Sequence, residues 1–490
     1  MGNCLKGFVL LLLTILAFSC KKADNPGSVI TPVDTTTVPV VTSYDPKIAD
    51  DYSAISNFSN YEKWGTYNVH DPSGIKVGNY YYVYNTDVMY GYGDPMPRIG
   101  IPFRKSKDLV HFQFSSWVFD GLPPKAASFL SSNGGKAGGV WAPYIFKAAT
   151  EYRLYYAVAS NNLFTTSIIG VATSQYPDGP WTDKGAVVTS NAQSGKNAID
   201  PTVVEDVSTG DQWLAYGSCW GGIAVLQLDP ASGLAKTPGD VGTIIARREG
   251  ITPEGCTVGN QEAPEIIYNP QTKKYYLFLS YDWLADSYNV RVGKADQPQG
   301  PYVDFNGNDM ATATDHLPIL THAYKFENHS GWQGVGHCGI LKDGDIFFML
   351  HQGRLGNNGA IMDLHIRQIV WNSNGWPSVS PERYNTVPVT TLTKDSIAGV
   401  WETVVLNPVP LSMIASERME FSSDNTIKNV SGSAWSFQNN SLNVNFGDGK
   451  GLVELKVLNA WDWENSRLTL VFTGLNSLGI SVWGKKILVQ

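Results

Sequence analysis

Asn260-Gln261-Glu262-Ala263-Pro264-Glu265-Ile266-Ile267-Tyr268, followed after a polar turn by Lys274-Tyr275-Tyr276-Leu277-Phe278-Leu279-Ser280, is the stretch that decides the fold. It places an acid just before an x-Pro step, then an apolar strand, a turn and an aromatic strand. The pattern recurs. His70-Asp71-Pro72-Ser73 leads to Tyr80-Tyr81-Tyr82-Val83-Tyr84, and Trp141-Ala142-Pro143 leads to Tyr152-Arg153-Leu154-Tyr155-Tyr156. Ile199-Asp200-Pro201 leads to Gln212-Trp213-Leu214-Ala215-Tyr216, and a copy without proline, Gly336-His337-Cys338-Gly339, leads to Ile346-Phe347-Phe348-Met349-Leu350. Copies lie roughly 60 to 75 residues apart, room for a four-stranded antiparallel sheet each. Gly, Asn and Asp turns bound the strands and no 3.6-residue period is sustained, so the reading is all-β. Units that cannot bury both faces alone, repeated five times, predict a five-bladed β-propeller. A row of β-sandwiches competes, but leaves the recurrent polar x-Pro start unexplained.

Working outward, residues 46–388 form the expected propeller domain, and the pattern changes beyond it. Residues 389–490 contain closely spaced alternating strands, such as Leu442-Asn443-Val444-Asn445-Phe446, and predict a small antiparallel β-barrel or sandwich. At the other end, Lys6 and the apolar run from Phe8 to Phe18 read as a signal h-region, too short for a comfortable membrane span. The run ends Leu16-Ala17-Phe18-Ser19-Cys20, which resembles a bacterial lipoprotein cleavage site. Residues 1–20 are therefore expected to be a lipoprotein signal, with Cys20 lipidated and the chain anchored at the outer membrane, facing either side. A plain secretory signal is the alternative. Residues 21–45, rich in Pro, Thr and Val, read as an extended tether.

Composition narrows the partners. A net charge of −8 without a basic stripe argues against nucleic acid. Aromatic residues make up 12% of the chain, which suits β structure and sugar-stacking surfaces. After Cys20 only Cys219, Cys256 and Cys338 remain, an odd number that excludes a full disulfide framework. Zinc-type Cys and His spacings are absent. A monomer is expected.

The inner strand of each propeller blade lines the central channel, so the strand starts crowd one mouth. Asp71, Trp141, Asp200, Glu262 and His337 would meet there. An isolated Asp-Pro is usually a turn; three acids at matching places in a repeat are not. Acetal hydrolysis needs two carboxyl groups in opposite protonation states, and a third nearby can raise the donor's pKa and orient it. Glu262 and Glu265 stand three apart and would face opposite sides of a strand. Glu254 reads as a solvated acid in a Gly-bounded loop, and His351 and Arg354 as candidates for substrate contact.

The motifs His70-Asp71-Pro72-Ser73, Val140-Trp141-Ala142-Pro143, Ala198-Ile199-Asp200-Pro201 and Glu262-Ala263-Pro264 resemble glycoside hydrolase family 43. Gly217-Ser218-Cys219-Trp220-Gly221-Gly222 and Gly336-His337 are similar to its endo-α-1,5-L-arabinanase branch, and the C-terminal unit to the extra β-barrel of longer arabinanases. The resemblance implies inverting hydrolysis of arabinan, with Asp71 the general base, Glu262 the general acid and Asp200 the acid that tunes and orients Glu262. It implies substrate contacts from His70, Trp141 and Trp220, and a divalent metal, usually calcium, near His337. Cys219 and Cys338 depart from the family pattern. An exo-acting α-L-arabinofuranosidase or β-xylosidase, or a non-catalytic glycan-binding lipoprotein, are the alternatives. The latter has no need of three acids.

Overall fold

The computed structural model describes residues 45–48, 58–87, 98–248, 260–312, 315–407 and 412–487. The leader, Cys20, the tether, Glu254 and Cys256 lie outside the described residues. No helix among the described residues is long and apolar enough to cross a membrane.

The x-Pro repeats become the first strands of antiparallel sheets. The first sheet orders Ser73–Val77, Tyr80–Tyr84, Pro102–Ser106 and Phe112–Trp117. The second orders Trp141–Lys147, Tyr152–Ala159, Ser167–Ser174 and Thr182–Ser190. The third runs Thr202–Glu205, Gln212–Ser218, Gly222–Leu228 and Thr243–Ala246; the fourth runs Gln261–Asn269, Lys274–Tyr281, Asn289–Ala295 and Ile319–Thr321. Each strand pairs with its sequence neighbour, as a β-meander requires. First strands of successive sheets abut one another, and that of the first sheet also abuts Gly339–Asp343.

The expectation of a five-bladed propeller is met only in part. Four repeats stand as separate four-stranded sheets, whereas the fifth is merged into a seven-stranded sheet. There Gly339–Asp343, Ile346–Leu355, Asn358–Trp371 and Pro377–Val379 pair in order. Trp332–Gln333 adds to the end of Ile346–Leu355, and Tyr324–Lys325 adds to it in turn. Tyr324–Lys325 then pairs in parallel with Ile414–Ala415, beyond the propeller region. An otherwise open strand edge is covered by the neighbouring module.

Apolar side chains fill the spaces between sheets. Tyr84, Phe103, Leu154 and Tyr156 pack between the first and second. Tyr155, Ile169, Leu214 and Tyr216 pack between the second and third, and Ile223, Val225, Leu277 and Leu279 between the third and fourth. Val83, Leu341, Phe348 and Leu350 pack the first sheet against the merged one. The core between the fourth and merged sheets also takes in Val404, Leu406 and Trp483 from the C-terminal module.

That module is a seven-stranded antiparallel half-barrel in the order Glu417–Phe421, Gly399–Val405, Ser481–Lys486, Arg467–Leu475, Leu452–Asp462, Ser441–Asn445 and Ala434–Gln438. Trp401, Phe421, Trp435 and Phe472 fill its concave side. The described residues from 45 to 487 belong to one compact unit. Its two parts are joined by a buried ion cluster in which Lys485 Nζ lies 3.0 Å from Glu382, 2.9 Å from Asp462 and 2.7 Å from Glu464.

Candidate active site

The residue before proline takes a left-handed backbone in every repeat: Asp71 (φ 51°), Ala142 (φ 38°), Asp200 (φ 57°) and Ala263 (φ 57°). His337, in the copy without proline, has φ 50°. Non-glycine residues rarely occupy this region, and strain of this kind collects at functional sites. These five residues are the structural equivalents, which corrects the register read from sequence. Trp141 and Glu262 stand one residue earlier than Asp71, Asp200 and His337. Ladder irregularities between Trp141 and Tyr144 and between Glu262 and Glu265 accommodate the shift. The longer Trp and Glu side chains reach the same space from one residue further back.

The structure gathers the predicted site. His70, Asp71, Trp141, Asp200, Glu262 and His337 line one cavity of about 420 Å³ with Thr86, Asp87, Asn161, Leu284 and Tyr288, a volume in the range of small-ligand sites. Trp220 is not among the lining residues; its ring stacks on Phe164. His351 is a core histidine: Arg367 Nε donates to its Nε2 at 3.0 Å, and burial with the Arg367 charge lowers its pKa to about 3. Arg354 donates to the Gly359 carbonyl at 2.8 Å and does not line the cavity.

Asp71 is bracketed by imidazoles. His337 Nδ1 lies 2.8 Å from its Oδ1, and His70 Nδ1 lies 2.9 Å from its Oδ2. Thr86 Oγ1 donates to Oδ2 at 2.6 Å while accepting from Ala142 N at 2.7 Å, tying the first sheet to the second. Burial alone would raise the Asp71 pKa, but His337 and His70 outweigh it and hold the carboxyl well below its usual range. Burial likewise opposes charge on His337, yet Asp71 and Asp200 raise it to about 9.

Glu262 behaves in the opposite way. Burial raises its pKa, and Asp71 adds to this against the opposing pull of Tyr288 and His337. Tyr288 donates to its Oε1 at 2.8 Å. Asp200 is itself pushed up to about 8, first by burial, with Glu262 and Asp71 adding. Burial, rather than charge on Asp200, is thus the leading cause of the Glu262 shift. Asp200 Oδ2 accepts from Ala263 N at 3.1 Å, which fixes the backbone that carries Glu262.

Glu265 does not line the cavity, and the ladder irregularity between it and Glu262 breaks the simple alternation by which the two were expected to face apart. It is buried, accepting from Thr202 Oγ1 and Ile340 N at 3.2 Å each, and burial raises its pKa to about 8. Between its ordinary value of 4.5 and about 8 the unfolded chain ionises this acid while the folded chain keeps it protonated. Its contribution is therefore complete at low pH and lost as pH rises. Glu265→Gln should flatten that loss: relative to the parent, its Tm should be higher at about pH 8 than at about pH 5. Thermal melts at the two pH values check this.

Cys219 is disulfide-bonded, and Cys338 is a free thiol buried in the core rather than aimed at the cavity. Sequence reading missed Thr86, Asp87, Asn161, Leu284 and Tyr288. All lie at or beyond the end of a second strand or before a third, at the mouth where Glu262 pairs with Ser280 and Trp141 with Ala157. A search of the second hairpin of each repeat would have found them.

An ionised and a protonation-biased carboxyl in one cavity, at the meeting point of propeller inner strands, define a site built for glycoside hydrolysis. The sequence matches the profile of glycosyl hydrolases family 43 over residues 65–377, and that of a C-terminal lipocalin-like domain over 381–484. The chain belongs to glycosyl hydrolases family 43. It is 28% identical to an extracellular endo-α-(1→5)-L-arabinanase of Thermotoga petrophila, covering 86% of this chain and 93% of that protein. It is 30% identical to an extracellular exo-α-(1→5)-L-arabinofuranosidase of Cellvibrio japonicus, covering 64% of this chain and 86% of that one. A crystal structure of endo-1,5-α-L-arabinanase from T. petrophila superposes with a TM-score of 0.74 at 26% identity, covering 87% of this chain and 99% of that chain.

Proposed function

We propose that this protein hydrolyses α-1,5-linked L-arabinan internally, with inversion of configuration. The observation that carries this is the opposite bias of two carboxyl groups in one cavity, Asp71 toward the ionised form and Glu262 toward the protonated one. Asp71 takes a proton from a water whose oxygen attacks the anomeric carbon. The glycosidic C–O bond breaks, and the leaving oxygen receives the Glu262 proton. Asp200 orients the acid through Ala263. Trp141 offers a sugar platform in the cavity, His70 a polar contact beside Asp71, and Trp220 a contact outside the cavity. Internal cleavage is supported by the relatives named as endo-acting, two of which align over 86% and 85% of this chain.

A divalent cation, calcium by family resemblance, would sit near His337 and be held largely through waters, since the acids around that imidazole favour its protonated form. The donor set fits only an ion that keeps most of its water, since among the described residues no trio of His, Cys, Asp or Glu surrounds His337. When bound it would supply positive charge beside the acids. The strands between Gly339 and Val379 serve, on this reading, as the fifth blade, because they repeat the order of the other four sheets. Domain borders at 45/46 and 388/389, lipidation at Cys20 and outer-membrane anchoring complete the proposal; relatives named as extracellular support export.

Product sizing on linear arabinan tests the reading. Mixed arabino-oligosaccharides are expected from the earliest time points. Arabinose alone from the start would establish exo action instead, and no release would remove the assignment.

A further inference from the structure

One aromatic pair lies outside the cavity and is used by no core. Phe164 is 81% exposed, and its ring stacks on Trp220 with centroids 5.9 Å apart and planes 20° apart. The two rings come from neighbouring sheets. Phe164 sits in the loop between Tyr152–Ala159 and Ser167–Ser174, and Trp220 in the turn between Gln212–Ser218 and Gly222–Leu228. Both connections follow second strands, so both rise at the mouth where the first strands begin.

The Phe164 loop is a fixed structure rather than a loose one. Leu163 N donates to Ser160 Oγ at 3.1 Å, Lys136 N to Asn162 Oδ1 at 2.8 Å, and Asn161 N to the Lys136 carbonyl at 2.8 Å. Singly exposed rings are ordinary, but two rings stacked from neighbouring sheets make a contiguous apolar surface, the kind that marks a binding site. What binds there follows from continuity, since Asn161, three residues before Phe164, lines the catalytic cavity. The loop that carries Phe164 thus starts at the cavity wall, at Asn161.

We infer that Phe164, backed by Trp220, is a distal sugar subsite that packs against an arabinan residue remote from the cleaved bond. The inference rests on the arabinanase reading above. A flat ring offers area to the C–H face of a sugar, and phenylalanine adds no polar handle, so the subsite would sense chain length rather than hydroxyl pattern. Short oligosaccharides that fill only the cavity would not reach it.

The test compares kinetics of Phe164→Ala on linear arabinan and on arabinotriose. On the polymer, KM is expected to rise roughly threefold to tenfold with kcat kept, the range for losing one aromatic contact. On arabinotriose the change should stay below about twofold. Phe164→Trp should restore the polymer KM, whereas Phe164→Leu, apolar but without a flat face, should not. Equal effects on both substrates, or no effect on the polymer, would overturn the subsite. If the parent protein cleaves neither substrate, the arabinanase reading itself fails, an outcome separate from loss of length dependence in an active enzyme.

Discussion

Turnover of linear arabinan by Glu262→Gln is expected to fall about 10²–10⁴-fold in kcat, the range for removing a general acid, with KM little changed. Glutamine keeps the shape and can still accept the Tyr288 hydroxyl, now 2.8 Å from Oε1. What it cannot do is deliver a proton to the leaving oxygen. The deficit should therefore shrink on an aryl arabinoside, whose leaving group departs without protonation. Asp71→Asn gives the complementary result. It removes the group that takes the proton from water, so its loss should persist whatever the leaving group. Steady-state rates of both variants on arabinan and on the aryl substrate separate the two roles. A Glu262→Gln variant equally impaired on both would show that Glu262 is not the acid.

The second large effect lies far from the cavity. Lys485 is buried with Glu382 from the end of the propeller region and with Asp462 and Glu464 from the half-barrel. Burial would raise the Glu464 pKa, but Lys485 pulls it well below its ordinary value. Burial and the neighbouring Glu464 charge push Glu382 the other way. Lys485→Met leaves these carboxyl groups without their central cation, and breaking a buried pair in this way costs about 3–5 kcal/mol. The variant should melt at lower temperature, and adding Glu464→Gln should recover part of the loss by removing a carboxylate that Lys485 had held ionised. The deficit should also narrow at low pH, where protonation removes the unpaired charge. Differential scanning calorimetry at neutral and acid pH checks all three expectations. Undiminished stability in Lys485→Met would mean that apolar packing alone joins the modules.

Much of the site was legible in the chain because a propeller repeats its sequence as it repeats its shape. Aligned x-Pro steps bring Asp71, Asp200 and Glu262 together without knowledge of any contact, and the half-barrel follows from alternating strands. The register of Glu262 was less accessible. Proline alignment pairs Asp71 with Ala142, Asp200 and Ala263, and left-handed φ values confirm that set and add His337, so Trp141 and Glu262 stand one residue earlier. Backbone strain has no compositional signature here, since aspartate, alanine and histidine all adopt it. Trp220 shows the same limit, because a motif places it near the mouth but only packing shows it stacked on Phe164, outside the cavity.

By itself, then, the sequence determined the repeat, the all-β class, the C-terminal change of pattern and the three acids, all of which depend on local periodicity and residue type. Tertiary structure alone decided which acid is ionised. Asp71 is held low by imidazoles from two different parts of the ring, while Glu262 is raised by burial. The larger of the two imidazole effects comes from His337, 266 positions from Asp71 in the chain, and that distance across the channel exists only when the ring closes. The merging of the last repeat with the half-barrel was settled the same way, by which strand edge Ile414–Ala415 happened to cover.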